Sequence, residues 1–227
     1  MTLKIVMKIG GFAFPLKPDI ETVSSYAKML MRLKDASHRL VIVAGGGGTS
    51  RAYIDAARAL GESEAVCDVI GITASRLNAR LLIAKLGEYS YPEPPTSIED
   101  VRKAFEKGKI VVMGGLQPGQ STNAVAAAAA EAVKADLFIN ATDVNGVYTA
   151  DPKKDPKAKK LDKIKADDLL RMMLAGELSA GSYELFDAVA VKIVKRSKIP
   201  TWIIDGRNVE NVERLVNGEK MGTQIVQ

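Results

Sequence analysis

The chain is poor in the residues that carry redox, metal and nucleophilic chemistry. Its 227 residues include one cysteine, Cys67, and one histidine, His38. A lone cysteine makes no internal disulfide, and without a second cysteine or a histidine nearby in sequence Cys67 suits neither a nucleophile nor a metal site. No metal site built from side chains is expected. His38 stands in Ala36-Ser37-His38-Arg39, between a predicted helix and a predicted strand, and reads as a surface turn residue rather than a catalytic base. Aromatic residues make up 5% of the chain, with one Trp. The stacking platforms and recognition helix that nucleic acid requires are both missing. No apolar run approaches the roughly 18 residues of a membrane helix, and residues 124–130 are short and small-sided. Met1-Thr2-Leu3-Lys4 leads into a strand pattern with no signal-peptide signature. A cytoplasmic protein with no membrane or nucleic-acid partner is expected.

The familiar phosphate-binding motifs are missing too. The stretch Gly45-Gly46-Gly47-Gly48-Thr49-Ser50-Arg51 lacks the lysine of a Walker A loop, and a GxGxxG match fails where Arg51 replaces the third glycine. What stands there still has a physical meaning. Glycines let a phosphate approach the backbone, the helix that follows offers unpaired N–H groups and the positive end of its dipole, and Arg51 adds a formal charge.

With 47% apolar residues the chain can bury a full core. Its net charge of +5 is concentrated in residues 153–165, where seven lysines share a segment with Asp155, Pro156 and Asp162. That segment reads as a solvated loop or hairpin. Apolar strand patterns at residues 3–9, 40–44, 110–113, 137–140 and 201–204 alternate with helical patterns starting at Asp19, Thr49, Glu62, Ser121, Ala166, Asp187 and Asn208. This alternation predicts an α/β fold, a three-layer α/β/α sandwich with a largely parallel central sheet. Asp19 and Asp187 fit N-caps, and Gly61, Gly108 and Gly218 fit helix stops.

In such a sheet ligands gather beyond the carboxyl ends of the strands. Four loops there are unusual: Lys8-Ile9-Gly10-Gly11, the four-glycine turn, Gly114-Gly115 through Thr122, and Thr142-Asp143-Val144-Asn145-Gly146-Val147-Tyr148 through Asp151-Pro152. Several glycine-rich loops on one edge can hold two phosphorylated ligands end to end, the arrangement phosphoryl transfer requires. Lys8 and Lys192 are candidates to neutralise the moving group. An acceptor phosphate with a second pKa near 6 is already ionised at neutral pH, so no general base is needed.

Taken together, Lys8 with Gly10-Gly11, the glycine turn ending in Arg51, Gln117-Pro118-Gly119-Gln120-Ser121-Thr122 and Asp143-Val144-Asn145-Gly146-Val147-Tyr148 with Asp151-Pro152 resemble the amino acid kinase family. Within it the combination is most similar to archaeal-type uridylate kinases, over residues 3–225. The resemblance implies a single domain over residues 1–227, with acceptor binding in about 1–135 and ATP binding in about 136–227. It also implies ATP with Mg2+ as donor, UMP as acceptor and a homohexamer. Lys8, Lys192 and Asp143 become the catalytic candidates. Gly11, Phe12, Gly47, Arg51, Thr142, Asp143, Tyr148 and Asp151 are carried over to ATP. Gly46, Asp68 as ribose reader, Leu116, Gln117, Pro118, Gly119, Gln120, Ser121 and Thr122 are carried over to UMP.

The chain departs from the family pattern at Asn145, where many relatives carry Asp, and at Phe12, where a small hydroxyl residue is usual. A phenylalanine leaves only its backbone N–H for phosphate. Residues 65–86 carry apolar side chains on more than one helical face, as in a helix that is deeply buried or meets another subunit. Kinases with other small acceptors, and a non-catalytic nucleotide- or oxyanion-binding protein, remain the alternatives.

Overall fold

Strands that are apolar on both faces need cover on both sides, and β1 (Lys4–Ile9), β2 (Arg39–Ala44) and β4 (Leu137–Thr142) are buried along almost their whole length. The computed structural model describes residues 2–150, 155–174 and 186–227. Among these, β3 (Val111–Met113), β8 (Thr201–Asp205), β9 (Thr223–Val226) and β7 (Lys163–Lys165) complete a seven-stranded sheet of order β3-β2-β1-β4-β8-β9-β7. The first five are parallel neighbours, and β9 runs antiparallel to β8. β5 (Val147–Tyr148) and β6 (Lys160–Leu161) form a separate antiparallel pair.

Alternation along β1 divides the interior into two cores. Ile5, Met7 and Ile9 pack with α1 (Ile20–Asp35), α3 (Glu64–Leu86) and α8 (Glu210–Val216). Val6, with Val41 and Val43 of β2, packs with α4 (Ile98–Glu106), α5 (Thr122–Val133), α6 (Ala166–Leu174) and α7 (Ala188–Ser197). Helices therefore lie on both faces, and the expected three-layer α/β/α arrangement is present. Alanine drives the helix propensity of α5, and its small side chains let it lie close on β1 and β2.

Local signals act where expected. Asp19 accepts from the N–H groups of Glu21 and Thr22, Asp187 from those of Val189 and Ala190, and Ser121 from those of Asn123 and Ala124. Gly61, Gly108 and Gly218 take the left-handed backbone of a helix stop. The helix expected from Thr49 begins at the glycines themselves, as α2 (Gly47–Ala59), and α3 starts at Glu64 rather than Glu62. The described part of the lysine-rich segment supplies β6 and β7, with Lys159, Lys160, Lys163 and Lys165 exposed.

His38 overturns its expectation. It is 8% exposed, and its Nδ1 accepts from the Leu3 N–H at 3.1 Å, because the chain entering β1 lies across it. Burial lowers its pKa. A histidine whose pKa is lowered by folding stabilises fully above its unfolded value, about 6.5, and loses that contribution as pH falls below it. The melting temperature is expected to drop on acidification from about pH 7 to pH 5. Part of that drop should vanish in His38→Asn, which keeps an acceptor for Leu3 but cannot protonate. Parallel melting curves for the two proteins would count against it.

Candidate active site: a rim of backbone amides

Four adjacent parallel strands bring four loops to one edge, and a cavity of about 680 Å3 opens there. Lys8, Gly10, Gly11 and Phe12 line it from the first loop, and Gly45, Gly46 and Gly47 from the second. Ser121, Thr122 and Asn123 enter from the third, and Thr142, Asp143 and Val144 from the fourth. All four loops singled out in the sequence therefore meet in one place.

The first two loops touch along their main chains. A Cβ on Gly11 would stand 3.1 Å from Gly47 Cα, and one on Gly45 would stand 3.0 Å from Gly11 N. Among the described residues the N–H groups of Gly11, Phe12, Gly46 and Gly47 have no protein acceptor. Orphan donors at a cavity wall are an anion site in waiting. The Phe12 ring packs over Gly10 and Gly206, so this residue offers its N–H and not its side chain. Arg51 projects over Gly11, its Nη1 lying 3.5 Å from where a Cβ there would sit.

Lys8 lies between Val43 and Asn140 in register and is 8% exposed, on the sheet face that α5 covers. Its ammonium and the amino-terminal end of α5 thus serve the same cavity. Ser121 both caps α5 and donates to the Asp187 carboxylate, which ties the start of α7 to this rim. Asn123, one residue inside α5, is 6% exposed, and its buried Oδ1 has no hydrogen-bond partner among the described residues.

Thr142 is held by the main chain: its hydroxyl donates to Val144 O at 2.9 Å and accepts from the Val144 N–H at 3.2 Å. That turn presents Asp143, which is exposed on the cavity wall. A fifth loop adjoins it. The Gly206 N–H donates to Thr142 O at 2.8 Å, and Arg207 forms a two-pronged pair with Asp205. Arg207 holds the Asp205 carboxyl below the ordinary carboxylate range.

The remaining sequence candidates lie outside the cavity wall. Lys192 is exposed on α7, beyond the wall residues. Asp68, on α3, accepts from the Gly119 N–H at 2.7 Å and holds the third loop. Leu116 and Gln120 are half-buried, and Gln117, Pro118 and Gly119 are exposed on that loop. Tyr148 is half-buried in β5, and Asp151 lies outside the described residues. The wall also includes Ser50, Asp55, Arg58 and Asn123, which the sequence reading passed over. Helical spacing could have found two of them, because Gly47, Arg51, Asp55 and Arg58 share one face of α2. Arg58 pairs with Glu64 at 2.7 Å.

A three-layer α/β/α fold with four amides that lack an acceptor among the described residues, beside a buried lysine, has the make-up of a phosphate-binding α/β protein. The profile of the amino acid kinase family matches residues 4–205. The uridylate kinase of Hyperthermus butylicus is 47% identical over 222 residues, 97% of this chain and 97% of that protein. The uridylate kinase of Methanococcoides burtonii is 44% identical over 232 residues, 98% of this chain and 99% of that one. The crystal structure of the uridylate kinase from Archaeoglobus fulgidus superposes with a TM-score of 0.89 at 40% identity, covering 99% of this chain and 100% of that chain. The chain belongs to the amino acid kinase family.

Proposed function

We propose that the protein phosphorylates UMP to UDP, with ATP as donor, by in-line phosphoryl transfer across the amide rim. The observation that carries this reading is the abutment of two glycine loops at one cavity, where four N–H groups of lining residues have no acceptor among the described residues. Near-complete coverage of uridylate kinases at close to half identity supports the acceptor.

In this reading Gly11, Phe12 and Gly47 hold the donor phosphates, and Gly46 with Ser121 and Thr122 at the start of α5 holds the acceptor phosphate. Lys8 neutralises the charge that builds on the group in flight. Lys192 would join it only through a movement of α7, whose first turn is already tied to the rim at Ser121. Asp68 reads the ribose by exchanging its bond to Gly119 for the sugar hydroxyls, and the third loop, from Leu116 to Gln120, closes on the base. Tyr148 and Asp151 serve the adenosine end, and Thr142 sets the turn that presents Asp143. Within one domain, acceptor binding then falls in residues from about 1–135, which also lend the donor phosphates the amides of Gly11, Phe12 and Gly47, and the rest of the ATP site in about 136–227.

The wall carries carboxylates suited to a hard cation. Mg2+ keeps most of its water and takes one or two carboxylates beside substrate phosphates, and Asp143 is the side chain that would hold it. When bound it supplies charge neutralisation between the phosphates. Val66, Val69 and Leu77 leave an apolar stripe of α3 exposed, a face for another copy of the chain in the proposed homohexamer. Among the described residues no helix is long and apolar enough to cross a membrane.

The test is ADP release with UMP, CMP and dUMP as acceptors. ADP formation with UMP is the expected result. Nucleotide binding without ADP formation would instead favour a binding protein, and turnover only with carboxylate or isoprenoid-phosphate acceptors would favour another kinase of the family.

A further inference from the structure

One stripe of α3 reaches both acceptor-side loops. At its start the Asp68 carboxylate accepts from Gly119 N–H at the tip of the third loop. Two turns on, Ser75 Oγ accepts from Gly115 N–H at 2.8 Å, and Arg76 donates to Gly115 O at 3.0 Å and to Leu116 O at 3.2 Å. One turn further, the Asn78 side-chain amide donates from a single nitrogen to two successive carbonyls, Gly45 O at 2.8 Å and Gly46 O at 3.1 Å.

In a planar trans peptide the carbonyl and the next residue's N–H point in opposite directions. Drawing the Gly45 and Gly46 carbonyls back toward α3 turns the N–H groups of Gly46 and Gly47 the other way. Those are two of the orphan donors, on loop residues that line the cavity. The Gly46 carbonyl also accepts from Ser50 N–H at 3.2 Å, so the first turn of α2 pulls in the same sense.

We propose that Asn78 is a positioning residue for phosphoryl transfer, acting through these two amides. The inference rests on the kinase reading above, in which Gly46 serves the acceptor phosphate and Gly47 the donor. One NH2 group then sets the angle between two neighbouring anion-binding donors, and so the line along which the phosphates meet. Preorganised donors of this kind act mainly on the transition state.

Asn78→Asp keeps the size of the side chain but sets a carboxylate against two carbonyls. It is expected to lower kcat about 10- to 100-fold while KM for UMP and for ATP stays within about threefold. Leu82→Ala, one turn on in the buried core, is the control. It should lower the melting temperature and leave kcat per folded molecule unchanged. If Asn78→Asp behaves like that control, or raises KM alone, the positioning role is wrong.

A second measurement uses the wild-type protein labelled with 15N-glycine. The Gly46 amide resonance should move on adding UMP, and that of Gly47 on adding a non-hydrolysable ATP analogue. Failure of both to move overturns the proposal even if Asn78→Asp does not fold. Absence of ADP formation by the wild type with every acceptor sinks the kinase reading separately. The aim of the amides is then judged by their response to inorganic phosphate, where movement of both supports it and movement of neither overturns it.

Discussion

Replacing Lys8 by alanine is expected to lower kcat by about 1,000-fold, with UMP affinity changed by less than about fivefold. The asymmetry follows from where the lysine sits. It comes from the penultimate residue of β1, is buried to 8% exposure, and faces the same cavity as the start of α5. In the proposed reading the acceptor phosphate keeps the Gly46 amide and the amino-terminal end of α5 when Lys8 is cut back. What disappears is the compensation for charge that spreads over the three oxygens of the group in flight, which exists only at the transition state. Steady-state kinetics with UMP varied at saturating ATP, together with equilibrium binding of UMP, separate the two. Near-normal turnover, or a loss confined to KM, would remove Lys8 from the chemistry. Lys8→Arg should recover little, because a planar fork does not replace a compact ammonium in a buried slot.

Gly47→Ala is expected to abolish measurable turnover and to cost about 2–4 kcal/mol of stability. The backbone at Gly47 has φ of 65°, and an added Cβ would lie 2.0 Å from the Phe14 carbonyl oxygen. That oxygen cannot retreat freely, since it accepts from the Gly48 N–H at 2.7 Å. Relief must come from separating the two loops, which removes the amide rim itself. Gly61→Ala provides the comparison: its φ is 86°, yet nothing lies within 4 Å of the added carbon. The strain there is purely conformational, about 1 kcal/mol, and kcat should be retained. Denaturant midpoints and kcat for both variants decide the matter. Equal behaviour would mean that the contact with Phe14 is easily relaxed and that the loops are not held together as described.

The parts of the molecule written in local patterns were legible in the sequence. Continuous apolar strands between amphipathic helices imply a parallel sheet, and a parallel sheet places Lys8, the glycine turn, Ser121 and Asp143 on one edge. Caps such as Asp19 and Asp187 depend on a few consecutive residues and were legible for the same reason. The short helix α4 was read only at its stop, Gly108, although its start carries a signal too, Ser97 accepting from the Asp100 N–H and donating to the Asp100 carboxylate. β7 and β9 are three and four residues long and take their stability from distant partners, so no local window contains their pairings. The same holds for His38, whose burial comes from Leu3, and for Asn78, whose two acceptors lie more than thirty residues earlier. Side chains that act through long-range contact leave little trace in a single chain's spacing.

The cradle divides the labour of recognition by chemical type. In the proposed reading the main chain of Gly11, Phe12, Gly46 and Gly47 grips phosphate, with N–H donors that every residue but proline carries. In the same reading the rest of the acceptor meets side chains, Asp68 at the start of α3 and those of the third loop. A lineage, or a protein engineer, can therefore retune the choice of acceptor by exchanging residues at the start of α3 and on that loop, provided that Asn78, which aims the grip, is kept.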